Sequence, residues 1–200
     1  MQSSWVTRRG TRGEYRLCMT FATRDATTED ASACAAIYTP YVERTAVTFE
    51  SVPPTPDEMA QRIAAAHESH AWVVLVDGDR VCGYAYGAPF KTRPAYAWSC
   101  EVSVYLGETA PRRSGAGRAL YDALFTRLDE RGFRTLVAGI ALPNPASIGL
   151  HAALGFSPVG TLREIGWKHG AWQDVAWMQR RIGDDSPPAS SPQPPAAASP

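Results

Sequence analysis

The chain has 200 residues, with Lys+Arg and Asp+Glu balanced at 20 each, so it makes one domain, or one with tails, around a sizeable core. A net charge near zero gives no global electrostatic reason to expect nucleic acid or an anionic membrane as partner, and no apolar run reaches the length of a membrane span. The basic N-terminus lacks the apolar h-region of a secretory signal, and Cys18, Cys34, Cys82 and Cys100 are scattered without metal-ligand spacing; they read as reduced, mostly buried thiols of a cytoplasmic protein, with no metal expected.

Residues 1–18 are basic, Gly-bearing and without period, and are expected to form a disordered leader; Met19 would serve equally well as a start. The core is expected over residues 19–182. Met19 to Arg24 reads as a first strand and Asp25 to Asp30 as a capping stretch, after which Ala33, Ala36, Ile37 and Tyr41 mark an amphipathic helix. Thr45 to Glu50 is an extended, β-branched piece ended by the turn at Pro53, Pro54 and Pro56. Asp57 and Glu58 open a second helix, acidic where the helix dipole prefers it, running through Ile63 to His67.

Ala71 to Val76 and Val81 to Gly87 pair as a hairpin across Asp77-Gly78-Asp79. A loop from Pro89 to Ala95 then leads to strand formers at Val102-Ser103-Val104-Tyr105-Leu106. Next comes the tight loop Arg112-Arg113-Ser114-Gly115-Ala116-Gly117, which passes into a helix with apolar residues at Leu120, Tyr121, Leu124, Phe125 and Leu128 and a stop at Arg131-Gly132. Phe133 to Leu142 is a strand halted by Pro143-Asn144-Pro145, Ala146 to Leu154 a short helix, and Ser157 to Trp167 and Val175 to Arg181 the last strands. Residues 183–200 are Pro, Ser, Ala and Gln, a tail too polar to fold. The order β-α-α-β-β-β-α-β-α-β-β places the chain in the α/β (α+β) class, with a mostly antiparallel central sheet of about seven strands flanked by helices.

A strand, a Gly-bearing loop and a helix start together build an anion site. The first amides of a helix lack partners within it, the dipole favours negative charge there, and Gly115 and Gly117 let the backbone approach a bulky phosphate. Arg112, Arg113 and Arg118 add charge around it. No Lys-Ser/Thr follows the glycines, which excludes a P-loop, and the third Gly and later acid of a dinucleotide site are missing.

The order R-x-x-G-x-G between strand and helix resembles the acetyl-CoA pyrophosphate loop of the GCN5-related N-acetyltransferases (GNAT), whose fold has the same order of elements. A second marker of that family lies in Asn144 to Phe156: Asn144, Ser147 at +3, His151 at +7 and Gly155-Phe156 at +11. The family commonly has Tyr at +7, near the thioester sulfur; here an imidazole stands there, able to do either half of acid–base work. Thr48-Phe49, Lys91 to Tyr96, Trp98, Glu101 to Tyr105, His151 to Phe156 and Lys168 to Val175 are similar to the phosphinothricin N-acetyltransferase branch, over roughly Phe21 to Ile182.

The resemblance implies a division of labour. Val104, Tyr105 and Leu106 would offer the strand backbone to the pantetheine arm of acetyl-CoA, the loop Arg112, Arg113, Ser114, Gly115, Ala116, Gly117 and Arg118 would cradle its pyrophosphate, and Asn144 would bind the pantetheine. Glu101 would be the base for the α-amino group, with His151 as acid for the thiolate or as second base. Lys91, Arg93 and Tyr96 would hold an anionic amino acid against an apolar wall from Phe49, the acceptor being phosphinothricin or a relative such as methionine sulfoximine or sulfone. The branch usually has Gln at Arg112, Asn at Pro94 and Asp at Ala97, and the last two differences fall in or beside the substrate loop. A general amino-acid or protein N-terminal acetyltransferase of the same fold is the alternative, and a non-catalytic acyl-CoA-binding module the alternative of another class. A homodimer, each subunit helping to shape the acceptor site, is also implied.

Overall fold

Side-chain alternation in the strands decides where the helices lie. The structure, a computed structural model, describes residues 21–108, 110 and 114–184; the leader, Cys18, Met19, Thr20, Arg112, Arg113 and the tail from residue 185 lie outside the described residues. The elements are β1 (Phe21–Asp25), α1 (Ala31–Arg44), α2 (Pro56–Ser69), β2 (Trp72–Asp77), β3 (Arg80–Pro89), β4 (Ser99–Leu106), α3 (Ala116–Glu130), β5 (Thr135–Ala141), α4 (Pro145–Ala153), β6 (Ser157–Lys168) and β7 (Ala171–Arg181), with 3-10 turns at Thr28–Asp30 and Pro94–Tyr96. They form one seven-stranded sheet in the order β1-β2-β3-β4-β5-β7-β6, antiparallel throughout except at β4–β5. This is the mostly antiparallel seven-stranded sheet flanked by helices expected from the order of elements.

On one face Val73, Leu75, Ala85, Cys100, Val102 and Leu136 pack against Leu120, Leu124 and Leu128 of α3. On the other, Trp72, Val74, Tyr84 and Tyr105 pack against Cys34, Tyr38 and Val42 of α1 and Met59 and Ile63 of α2. A period of two in the strands and 3.6 in the helices therefore yields two cores, one on each side of the sheet. The α2 cap carries the acidic signal seen in the sequence: Thr55 accepts from Glu58 N at 3.2 Å, and Glu58 Oε2 accepts from Thr55 N at 2.7 Å, a reciprocal capping box.

Several local readings shift. The buried face of α1 is Ala31, Cys34, Ala35, Tyr38 and Val42, whereas Ala36 is exposed. Alanine is too small to phase a helix by itself. Residues 45–50 do not join the sheet but bend; their β-branched content is overridden by a tertiary clamp described below. The last hairpin is longer than expected, with β7 beginning at Ala171 and the turn at His169-Gly170, both at positive φ. Arg134 Nη1 donates to the Asp184 carbonyl and carboxylate at 2.9 Å each. Among the described residues no helix is long and apolar enough to cross a membrane.

Candidate active site

The feature that opens the molecule is the parting of β4 and β5. These strands pair in parallel only from Ser99–Thr135 to Glu101–Val137, although β4 continues to Leu106 and β5 to Ala141. Gly107 N donates to Cys82 O at 2.9 Å, which fixes the phase of the β3–β4 ladder. By the alternation of an antiparallel pair, Val102, Val104 and Leu106 then turn their backbone groups away from β3, toward the gap. The Leu106 carbonyl there accepts from the Tyr41 hydroxyl at 2.8 Å.

Side chains alternate in the opposite sense. Val104 and Leu106 pack on the α3 side, while Glu101, Ser103 and Tyr105 line a cavity of about 390 Å³ on the other face. That cavity also takes Tyr38, Phe49, Glu50 and Tyr86, Gly139 and Ala141 of β5, Leu162 and Ile165 of β6, and Val175 and Trp177 of β7. Its volume suits an amino-acid-sized ligand.

Glu101 sits at the last position of β4 that pairs with β5, half-buried, where these two strands begin to part. Burial in this largely apolar setting pushes its carboxyl above the ordinary value of 4.5, and the Lys91 charge draws it partly back. Among the described residues no hydrogen bond engages the carboxylate. It is available to take a proton.

His151 is in a different state. Its Nδ1 lies 2.8 Å from the Ser147 carbonyl, which can only accept, so Nδ1 carries the ring proton. The Tyr121 hydroxyl, 3.0 Å from Nε2, therefore donates to it. Tyr121 and Phe156 enclose the ring at centroid distances of 5.3 and 5.0 Å. Burial holds its pKa below 6.5, opposed by the Ser147 bond. His151 is a neutral imidazole with both nitrogens occupied, and it does not line the cavity.

At the anion loop, Gly115 is the N-cap of α3 with φ of 87°, a left-handed conformation that glycine adopts without strain. Ala116 N approaches Ser114 Oγ at 3.4 Å. Ala119 N donates to Gly115 O at 2.9 Å, so the amides of Ala116, Gly117 and Arg118 are those of the first turn. Arg118 spans from this turn to α4, donating to Ala153 O at 2.8 Å. Asn144 caps α4, its Oδ1 accepting from Ser147 N at 3.1 Å, which leaves the NH2 end as the donor it can offer.

Lys91, Arg93 and Tyr96 lie on an exposed loop at the edge of the site and do not line the cavity themselves. The loop is joined to the wall through Phe90, which packs edge-on to Tyr96 at 5.7 Å and to Trp177 at 5.9 Å. Phe49 does line the cavity, seated on Gly166 so closely that a Cβ there would fall 2.3 Å from the ring.

Three residues were not singled out in the sequence. Lys168 donates to the carbonyls of Thr48 and Glu50 at 2.7 and 2.8 Å, clamping the bend that carries Phe49. Glu50 is held by Arg62 through Nη1–Oε1 at 2.8 Å and Nη2–Oε2 at 3.0 Å, and by the Tyr38 hydroxyl at 3.1 Å. The third is Tyr121, whose apolar period disguised a polar task. No short motif links such partners, which lie 12 to 120 positions apart. Among the described residues, Cys34, Cys82 and Cys100 are free, buried thiols, and no group of His, Cys, Asp or Glu is arranged to hold a metal.

The chain resembles known proteins in sequence and in fold. The acetyltransferase (GNAT) domain family matches residues 23–177. The phosphinothricin N-acetyltransferase of Streptomyces viridochromogenes is 39% identical over 165 residues, 82% of this chain and 90% of its own. The L-methionine sulfoximine/L-methionine sulfone acetyltransferase of Pseudomonas paraeruginosa is 33% identical over 169 residues, 82% and 96% of the two chains. A crystal structure of a GNAT superfamily phosphinothricin acetyltransferase from Sinorhizobium meliloti in complex with AcCoA superposes with a TM-score of 0.80 at 38% identity, covering 90% of this chain and 97% of that one. With a parted strand pair, a glycine-capped helix start and a carboxylate at the fork, this chain belongs to the GNAT acetyltransferases.

Proposed function

We propose that the protein moves the acetyl group of acetyl-CoA to the α-amino group of phosphinothricin or a closely related amino acid such as methionine sulfoximine or methionine sulfone. The observation that carries this reading is Glu101, half-buried and unengaged at the fork of β4 and β5, facing a cavity of amino-acid size.

Bound acetyl-CoA would supply the thioester. Val104 and Leu106, with Tyr105 between them, would give strand-like backbone contacts to its arm, Asn144 a side-chain donor, and the amides from Arg113 through Ser114, Gly115, Ala116 and Gly117 to Arg118 a cradle for its pyrophosphate, with Arg112 beside it. Glu101 would take a proton from the acceptor's ammonium, for which a raised pKa makes it the better base near neutrality. The same carboxylic acid can return a proton to the departing thiolate, and so serve both halves. Because both nitrogens of His151 are hydrogen-bonded and its ring does not line the cavity, Glu101 is the principal base; for His151 to protonate the thiolate, its ring must leave Tyr121 or Ser147. Lys91 and Arg93, with Tyr96, would attract the acceptor's anionic groups from the cavity's edge, and Phe49 would form the apolar wall.

A second reading keeps the chemistry and changes the acceptor. Glu50 places a carboxylate in the cavity, which an anionic side chain must face but a neutral one need not. Within the proposed class this favours the uncharged sulfoximine and sulfone over phosphinothricin, and a general amino-acid or protein N-terminal acetyltransferase is the competing reading. The deciding assay mixes purified protein with acetyl-CoA and follows free thiol with phosphinothricin, methionine sulfoximine, methionine sulfone or glutamate added separately. Turnover of the first three with glutamate inert supports the reading; thiol release with none of them ends it.

A homodimer formed through the β6–β7 edge is part of this proposal. Val159, Leu162, Ile165, Trp167 and Trp172 there are 46–61% exposed, a row of apolar side chains on a sheet edge. Because Leu162 and Ile165 also line the cavity, a second copy seated on this edge would complete the acceptor site. The free thiols fit the reducing cytoplasm, where acetyl-CoA is at hand.

A further inference from the structure

A second cavity, of about 440 Å³, opens beside the first on the same face of the sheet. Tyr38 and Tyr86 line both, so the two are neighbours across a shared wall of two tyrosines. Glu50 belongs to the lining of the first and Arg62 to that of the second, and their bidentate ion pair spans the boundary. Arg62 and Glu50 are 42% and 37% exposed, so solvent screens the pair and it holds the boundary only weakly.

The two cavities differ in chemistry. The first has Glu101, Glu50 and Ser103 in its walls. The second is faced by Met59, Ala66 and a stack of rings in which Trp72 lies 5.2 Å from Tyr84 and 4.5 Å from Tyr86. Its buried polar groups include Trp72 Nε1 and His70, whose Nδ1 pairs with Ser69 Oγ at 2.8 Å and whose ring packs on Phe133. Burial and the Arg131 charge push His70 down to about 4, so it offers no positive charge at neutral pH. Arg62 is already matched by Glu50, and Glu68 adds a carboxylate at the rim. An anion finds no unmatched cation here, whereas a flat apolar group finds rings and a methionine.

We propose that the second cavity is a subsite of the acceptor site and takes an uncharged aromatic or branched apolar group carried by the amine. This rests on the reading of the first cavity as the acceptor site. It predicts that the enzyme accepts amino acids whose side chains extend past the small anionic ones, with the tail entering between Tyr38 and Tyr86 as the Glu50–Arg62 pair parts.

The test compares the γ-methyl and γ-benzyl esters of glutamate as acceptors, both uncharged at the side chain, with methionine sulfone as the small reference. Wild-type protein should favour the benzyl ester over the methyl ester by about tenfold in kcat/KM, the scale on which an apolar group is discriminated by its pocket. Ala65, exposed on α2 at the mouth of the second cavity, can be enlarged without disturbing the core. Ala65→Trp should erase the benzyl preference while leaving methionine sulfone turnover within about twofold. A wild-type enzyme that favours the methyl ester, or an Ala65→Trp enzyme that keeps the benzyl preference, would overturn the inference while turnover of methionine sulfone still stands. Failure of all three acceptors would instead overturn the acceptor-site reading, and the subsite with it.

Discussion

Glu101 and His151 are the two groups that the sequence puts forward for proton transfer, and the fold leaves them in opposite conditions. Glu101 stands at a fork in the sheet, facing a cavity, with burial raising its pKa and no hydrogen bond from a described residue engaging its carboxylate. His151 is packed between α3 and α4, with Nδ1 bound to Ser147 O and Nε2 to the Tyr121 hydroxyl. Residue type alone favours histidine, the side chain that titrates nearest neutrality. Environment reverses the order: a hydrogen-bond-satisfied imidazole in an aromatic box is stable because it stays neutral, while a desolvated, unpartnered carboxylate is a base in waiting.

The largest effect expected is that of Glu101→Gln, which keeps the shape and removes the base. It should lower kcat/KM by about 10²-fold or more, the usual scale for a general base, with little change in acetyl-CoA affinity measured by equilibrium binding. His151→Gln tests the other half of the comparison. If the ring is a neutral support, the loss should be smaller, about tenfold; an effect equal to that of Glu101→Gln would erase the distinction.

Two changes around these groups sharpen it. Tyr121→Phe keeps the ring that stacks on Phe125 at 5.1 Å but leaves Nε2 without its donor. Thermal or denaturant unfolding should show a loss of about 1–3 kcal/mol, the cost of an unsatisfied buried acceptor. The sign of its pH dependence follows from the lowered histidine pKa. The unfolded chain protonates at 6.5 and the folded one only below that, so wild-type stability should fall as pH drops below 6.5, and the fall should be shallower in Tyr121→Phe. Arg62→Met should have the smallest effect on stability, within about 1 kcal/mol for an exposed pair. It should still raise KM for anionic acceptors, because Glu50 then faces them unmatched.

Much of the frame was legible in the chain. Leu120, Leu124 and Leu128 recur at helical spacing and are fully buried, and Asp57 and Glu58 lie in the first turn of α2 as their acidity implied. Glu101 is legible as a base only through the family resemblance, and its half-buried place at the fork of β4 and β5 comes from the fold. The partnerships were not legible, because each joins residues far apart in sequence. The Lys168 ammonium clamps carbonyls 118 and 120 positions away and so bends a segment whose β-branched residues argued for extension. Tyr121 satisfied the apolar period of α3 while its hydroxyl served a histidine 30 positions on. Sequence period reports which face a side chain is on, and says nothing of what its polar tip will meet.

We propose that Glu101, and not His151, takes the proton. The pH dependence of kcat/KM for methionine sulfone, measured on wild-type and Glu101→Gln protein by thiol release, tests it most directly. Because burial raises the Glu101 pKa, the base form is lost as pH falls through a value above 4.5, and the wild-type profile should show one acid limb there. The Glu101→Gln profile should be low and without that limb. A Glu101→Gln enzyme that keeps both the limb and the wild-type rate would contradict the account and hand the role to His151.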